Sequence, residues 1–165
     1  MGDALRRRAD PASGLFRERF DGQMIVCGLE FPDDLWYLVE HQVWARLHDT
    51  TSATVGVTSL GVRLAGDIYM CRPKAVGSDI EQGHSIAVVE IAKAIVSMKS
   101  PVRGRVTAVN TQLQEQPELL VGDPYHEGWL AQLHLADFAT DRAALLYGEH
   151  ARAAMERHAR LNQID

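Results

Sequence analysis

The stretch that decides the fold is VVEIAKAIVSMKSPVRG, Val88 to Gly104. Val88, Val89, Ala94, Ile95 and Val96 are strand formers, so the segment reads as two strands joined near Ala92 and Lys93. The joining residues contain no Gly, Pro or Asn, so the primed two-residue turn of an ordinary β-hairpin is not indicated and an unusual turn is expected. Gly83 lies ten positions before Lys93 and Gly104 eleven after it, which places the lysine midway between two turn signals. A residue so placed sits at the far tip of a hairpin, and at about 3.3 Å of rise per residue that tip stands well clear of the core. Lys99 falls within the returning strand, where an outward-facing ammonium with a packed stem is expected.

Further short β-branched runs flank this hairpin at 54–58, 67–71, 105–109 and 128–133, separated by Gly and Pro. Many short strands imply a small sandwich or barrel. TSLGVRLAG, residues 58–66, interrupts them as one or two helical turns, with Thr58 or Ser59 as N-cap and Gly66 as stop. From about 136 the composition turns to Ala, Arg, Glu and Leu, which predicts two helices broken at Gly148, the first capped by Thr140. Residues 1–22 carry Arg6, Arg7 and Arg8 with Pro11 and Gly14 as breakers and read as a flexible arm; residues 23–165 read as a single domain.

The chain has 165 residues, 46% apolar and 24% charged, with a formal net charge of −5. That is the composition of a soluble globular domain, and its sign argues against nucleic acid as a partner. Cys27 and Cys71 form no CxxC, so neither a disulfide framework nor a thiolate metal site is indicated, and a reduced cytoplasmic setting is the default. No apolar run approaches the ~20 residues of a membrane span. The seven histidines show no pair with metal-site spacing. Cys71 beside Arg72 has two readings, a thiol of lowered pKa or a small buried strand residue. Pro124, Tyr125, Gly128 and Trp129 read as turn and core residues.

VVEIAKAIVSMKSPVRGRVTAVN resembles the lipoyl-attachment hairpin of the glycine cleavage system H proteins, with Glu90 and Lys93 in a Glu-x-x-Lys-Ala motif completed by Ala94. The likeness extends over 53–77, ATVGVTSLGVRLAGDIYMCRPKAVG, and over PELLVGDPYHEGWLAQL at 117–133, and covers roughly Trp36 to Met155. It implies a mainly β barrel-sandwich hybrid with a short internal helix and C-terminal helices. It also implies lipoate amide-linked to Lys93 by a lipoate ligase or lipoyltransferase, with Glu90 and Ala94 on the recognition surface. The implied function is a non-catalytic carrier that shuttles an aminomethyl group between glycine decarboxylase, aminomethyltransferase and dihydrolipoamide dehydrogenase. A biotin carrier is disfavoured, because Ala92 and Ala94 replace the usual flanking methionines.

The chain departs from that pattern around the expected cargo cleft. The family's His-Glu-Trp triplet corresponds to His41, Gln42, Val43 and Trp44, with the match at histidine and glutamate depending on the anchor chosen. Ser97 stands where Asp is frequent, Leu64 where some members have His, and MCRPK brings Arg72 and Lys74 into a normally acidic stretch. These changes leave two alternatives open. One is an H-like protein that carries sulfur for a heterodisulfide-reductase-like complex, and the other is an unmodified interaction module.

Overall fold

The structure is a computed structural model and describes the backbone of residues 6–9 and 16–20 and all of 22–164. The chain opens with a four-stranded antiparallel meander: β1 (Arg6–Ala9), β2 (Phe16–Phe20), β3 (Gln23–Val26) and β4 (Leu29–Pro32). The remainder of 1–22, expected as an arm, lies outside the described residues. Next come β5 (Trp36–Leu38), a 3-10 turn at Val39–His41, β6 (Val43–Leu47), β7 (Ser52–Val57), α1 (Ser59–Ala65), β8 (Ile68–Pro73) and β9 (Asp79–Ile80). The expected hairpin follows as β10 (Ser85–Ile91) and β11 (Ala94–Lys99), then β12 (Gly104–Val109). After α2 (Leu119–Gly122) and β13 (Ala131–Leu135), the chain closes with α3 (Phe138–Asp141), β14 (Leu146–Tyr147) and α4 (Arg152–Leu161).

Two sheets enclose the main core. One has the order β14-β5-β6-β7-β13-β12-β9 and the other β11-β10-β8. Period-two burial builds the space between them: in β13, Ala131, Leu133 and Leu135 are buried while Gln132 and His134 are exposed. Val43, Val57, Cys71, Ile86, Val89, Met98 and Val106 fill the same core. Burial pushes the Cys71 thiol up to about 12, so of its two readings the buried strand residue holds and the lowered pKa does not.

A second core lies on the outer side of β5 and β6. Met24, Val26 and Phe31 of the meander meet Tyr37, Trp44, Leu60 and, from α4, Met155 and Ala159. The Trp44 indole lies flat over Gly56, where any Cβ would collide with the ring, and its Nε1 donates to the Val57 carbonyl (3.0 Å) and the Pro124 carbonyl (3.2 Å).

The region after 136 departs from expectation. Only its second half is a continuous helix, α4. The first half is one α turn, a 3-10 turn at Arg142–Ala144 and a two-residue strand. Its cap is Asp137, whose carboxylate accepts the Thr140 N–H (3.2 Å), so Thr140 lies inside the turn. Tertiary packing overrides the Ala-rich propensity here, because β14 pairs with β5 and Trp36 is flanked by Phe138 and Tyr147. Gly148 does end the segment, at φ 52° and with its Cα against the Asp33 carbonyl. The strand expected at 128–133 begins only at Ala131.

Candidate functional site

The hairpin register closes on the pair Ile91 and Ala94, leaving Ala92 and Lys93 as a two-residue turn. Neither has positive φ, so the turn is of the unprimed kind that splays its strands, in keeping with the absence of Gly or Asn. Ala92, Lys93, Ala94 and Ile95 are all exposed, and no ion pair engages Lys93 among the described residues. The seven residues of β10 place this tip roughly 20 Å from the root of the hairpin.

The root is fastened to the body. Gly83 N–H donates to the Ser100 carbonyl (2.8 Å) and Ser100 N–H to the His84 carbonyl (2.7 Å). The buried Asp141 carboxylate accepts both the backbone N–H (2.7 Å) and the guanidinium (2.9 Å) of Arg103. Gln82 Nε2 ties the Pro101 and Asp141 carbonyls together. The hairpin is therefore a stiff stalk with a free tip.

Its tip carries apolar surface. A bulge in the β8–β10 pairing leaves Tyr69 unmatched between Ile68 and Met70, and Tyr69 is 60% exposed. Ile95 on the opposite flank is 69% exposed and pairs with Glu90, whose carboxylate is also exposed. Lys93 thus stands between two large apolar side chains with an acid nearby. Lys99 is half-buried opposite Ser85 in β11, as expected of a returning-strand residue. The protein has only three lysines, Lys74, Lys93 and Lys99, all on or beside this small sheet.

The five residues expected at a cargo cleft are not gathered around one opening. Val43 is fully buried between its partners Leu38 and Val57. Gln42, in left-handed backbone (φ 54°), is a buried connector: it donates to the Val39 carbonyl (2.8 Å) and to Met155 Sδ (3.3 Å), and accepts from Thr58 Oγ1 (2.6 Å). His41 faces Gly83 at the hairpin root, and Leu64 lies on the exposed side of α1. Ser97 faces outward on β11, yet its Oγ is occluded and has no hydrogen-bond partner.

The structure has instead an open cleft of about 590 Å³ along α1, which the sequence did not disclose. Its walls are α1, the 121–126 segment and the β3–β4 hairpin, and its lining includes Glu30, Arg63, Asp67, Asp123, Tyr125 and His126. The walls are joined by hydrogen bonds: Ser59 Oγ (2.6 Å) and Tyr125 Oη (2.7 Å) both donate to the Glu30 carbonyl, and Ser59 N–H donates to Tyr125 Oη (2.9 Å). Burial raises the Tyr125 phenol above its ordinary value, so it stays a neutral donor.

The sequence profile described as glycine cleavage H-protein matches residues 35–158. The chain belongs to the glycine cleavage H-protein family. It is 36% identical to the glycine cleavage system H protein 2 of Aquifex aeolicus over 75% of this chain and 77% of that one. Over 66% of this chain and 84% of the relative, it is 41% identical to the H protein of Rubrobacter xylanophilus. The crystal structure of the H protein of Mycobacterium marinum superposes with a TM-score of 0.61 at 26% identity, covering 81% of this chain and 99% of the other. The fold is thus the barrel-sandwich hybrid expected, and the family is one of lipoyl carriers that serve the enzymes of a multienzyme system. The β3–β4 wall of the cleft, at residues 23–32, lies outside the family match.

Proposed function

We propose that this protein carries lipoate on Lys93 and passes a one-carbon amine among the glycine cleavage enzymes: glycine decarboxylase, aminomethyltransferase and dihydrolipoamide dehydrogenase. The observation that carries the reading is an unpaired, exposed lysine alone at the apex of a stiff hairpin, in a chain of the H-protein family. Lys93 fits the attachment: its ammonium is free for acylation and the turn around it is open to a ligase or lipoyltransferase. Glu90, Ala94, Ile95 and Tyr69 form the surface such an enzyme meets, with two apolar anchors and one carboxylate. Once attached, the group supplies a disulfide that opens to thiols on reduction and holds cargo on sulfur. The protein's own part is presentation, since the described residues around the tip form no acid–base or nucleophilic grouping, and the setting is the cytoplasm.

Protein from lipoate-supplied cells should show one lipoyl adduct by intact mass. Lys93→Arg should lose it, whereas Lys74→Arg and Lys99→Arg should keep it; an unmodified wild type would leave an interaction module that retains only the fold. A sulfur-carrying role with a heterodisulfide-reductase-like complex is favoured by one observation, the uncharged Val43 and Ser97 at positions where the resemblance leads one to expect acids. Reconstitution with glycine decarboxylase separates the two, since a sulfur carrier accepts no amine.

A further inference from the structure

We infer that β11 is an open sheet edge that pairs, antiparallel, with β11 of a second copy of this chain, Ser97 facing Ser97 across a twofold axis. The inference is independent of whether Lys93 is acylated. It starts from the two edges of the small sheet, whose order is β11-β10-β8. The β8 edge is guarded: Tyr69 bulges out of its pairing, Pro73 has no N–H to offer, and the 3-10 turn at Thr111–Gln114 packs beside it. By contrast β11, Ala94–Lys99, runs without Pro or Gly and has β10 as its one strand neighbour among the described residues.

The register at that edge follows from the hairpin. Backbone groups along an antiparallel strand point to alternate sides. Ser100 N–H donates to the His84 carbonyl on the β10 side (2.7 Å), so the even-numbered residues turn their backbone groups to β10. The N–H and C=O of Ile95, Ser97 and Lys99 therefore face outward, with no described strand beyond them. Centring the new pair on Ser97 sets Ile95 against Lys99 of the second copy, and each facing pair of outward residues then exchanges two backbone hydrogen bonds. The side chains agree with that centre. Ser97 Oγ is occluded and unpartnered within one chain, and rotation about its Cα–Cβ bond brings the two hydroxyls together at the axis. Ile95, 69% exposed, comes under the methylene stem of the opposing Lys99. The two Lys99 ammonium groups sit on opposite sides of the axis, whereas a register that set Lys99 against Lys99 would bring like charges together. Counting along β11 from the axis to Lys93 in each copy, the two tips stand roughly 26 Å apart, and both arms stay free.

Adding one strand to an edge buries little area, below about 1,200 Å² in total, so the dimer is weak and depends on concentration. Sedimentation of the full chain from about 5 to about 500 μM should show monomer passing to dimer. Amide exchange over the same range should slow at Ile95, Ser97 and Lys99, while Val96 and Met98 are protected throughout. Ile95→Lys sets two like-charge pairs against Lys99 and should weaken the dimer about tenfold; at so exposed a site it leaves the fold intact, which the melting curve checks. Ile95→Lys with Lys99→Glu makes both pairs attractive and should restore dimerisation to within about threefold of wild type, which a merely structural effect of either change would not do. Monomer at every concentration, or a dimer indifferent to both variants, would overturn the pairing. Slowed exchange of the three amides only when glycine decarboxylase is added would overturn it too, and would give the edge to a strand of that enzyme. Intact mass reports acylation of Lys93 separately, so none of these outcomes bears on the carrier reading.

Discussion

Gln42 was expected beside the cargo, and the structure makes it a buried joint, so substitution at its partner Thr58 separates the two roles. Thr58 is fully buried, and its hydroxyl donates to Gln42 Oε1 (2.6 Å) while accepting the Gly61 N–H (3.0 Å) that caps α1. Thr58→Val keeps the shape and removes both bonds. Loss of the N-cap costs about 1 kcal/mol. Stranding the Gln42 oxygen in a residue only 3% exposed costs about 1–3 kcal/mol more. The sum, about 3 kcal/mol, corresponds to a melting temperature lower by roughly 10 °C in a domain of this size. Urea unfolding of wild type, Thr58→Val, Gln42→Met and the double variant completes a cycle in which backbone strain at position 42 cancels. A coupling of about 1 kcal/mol or more is expected, with lipoylation of Lys93 unchanged in all four proteins. A loss below about 1 kcal/mol for Thr58→Val, or a specific loss of cargo transfer at unchanged stability, would refute the structural role.

Asp141→Ala removes the acceptor of the Arg103 backbone N–H and guanidinium at the hairpin root, and urea unfolding should register a loss of about 2–3 kcal/mol, with Asp141→Asn retaining part of it. In the apo protein, a thiol reagent should titrate the half-buried Cys27 in the native state, and the buried Cys71, held protonated, only in denaturant. Burial lowers the pKa of His158 on α4, so the unfolded chain binds a proton that the folded chain refuses as pH falls below about 6.5. Stability should therefore fall as pH drops from about 7 to 5, and His158→Gln should flatten that slope in urea titrations at the two values.

The parts legible in the sequence were those set by local chemistry. Thr58 and Gly66 bound α1 as their types demand, with Gly66 at φ 76°. The lysine hairpin follows from the spacing of Gly83, Lys93 and Gly104. The parts that were not legible depend on contacts between distant segments. Leu146 and Tyr147 look helical until Trp36 and Tyr37 offer a strand edge. The β3–β4 hairpin turns at Cys27 and Gly28, both at positive φ, and a cysteine gives no turn signal of the kind that Asn or Asp would. Gln42, expected at the cargo cleft, is a buried connector that the sequence could not disclose, because nothing nearby in sequence supplies Thr58 or Met155.

The core around β6 obeys a simple electrostatic rule. Position 43 lies in a dry interior between Leu38 and Val57, where an unpaired carboxylate costs several kcal/mol and turns neutral before it steadies a cation. Valine is therefore the stable choice there, and any charge the cargo needs must come from residues that remain hydrated.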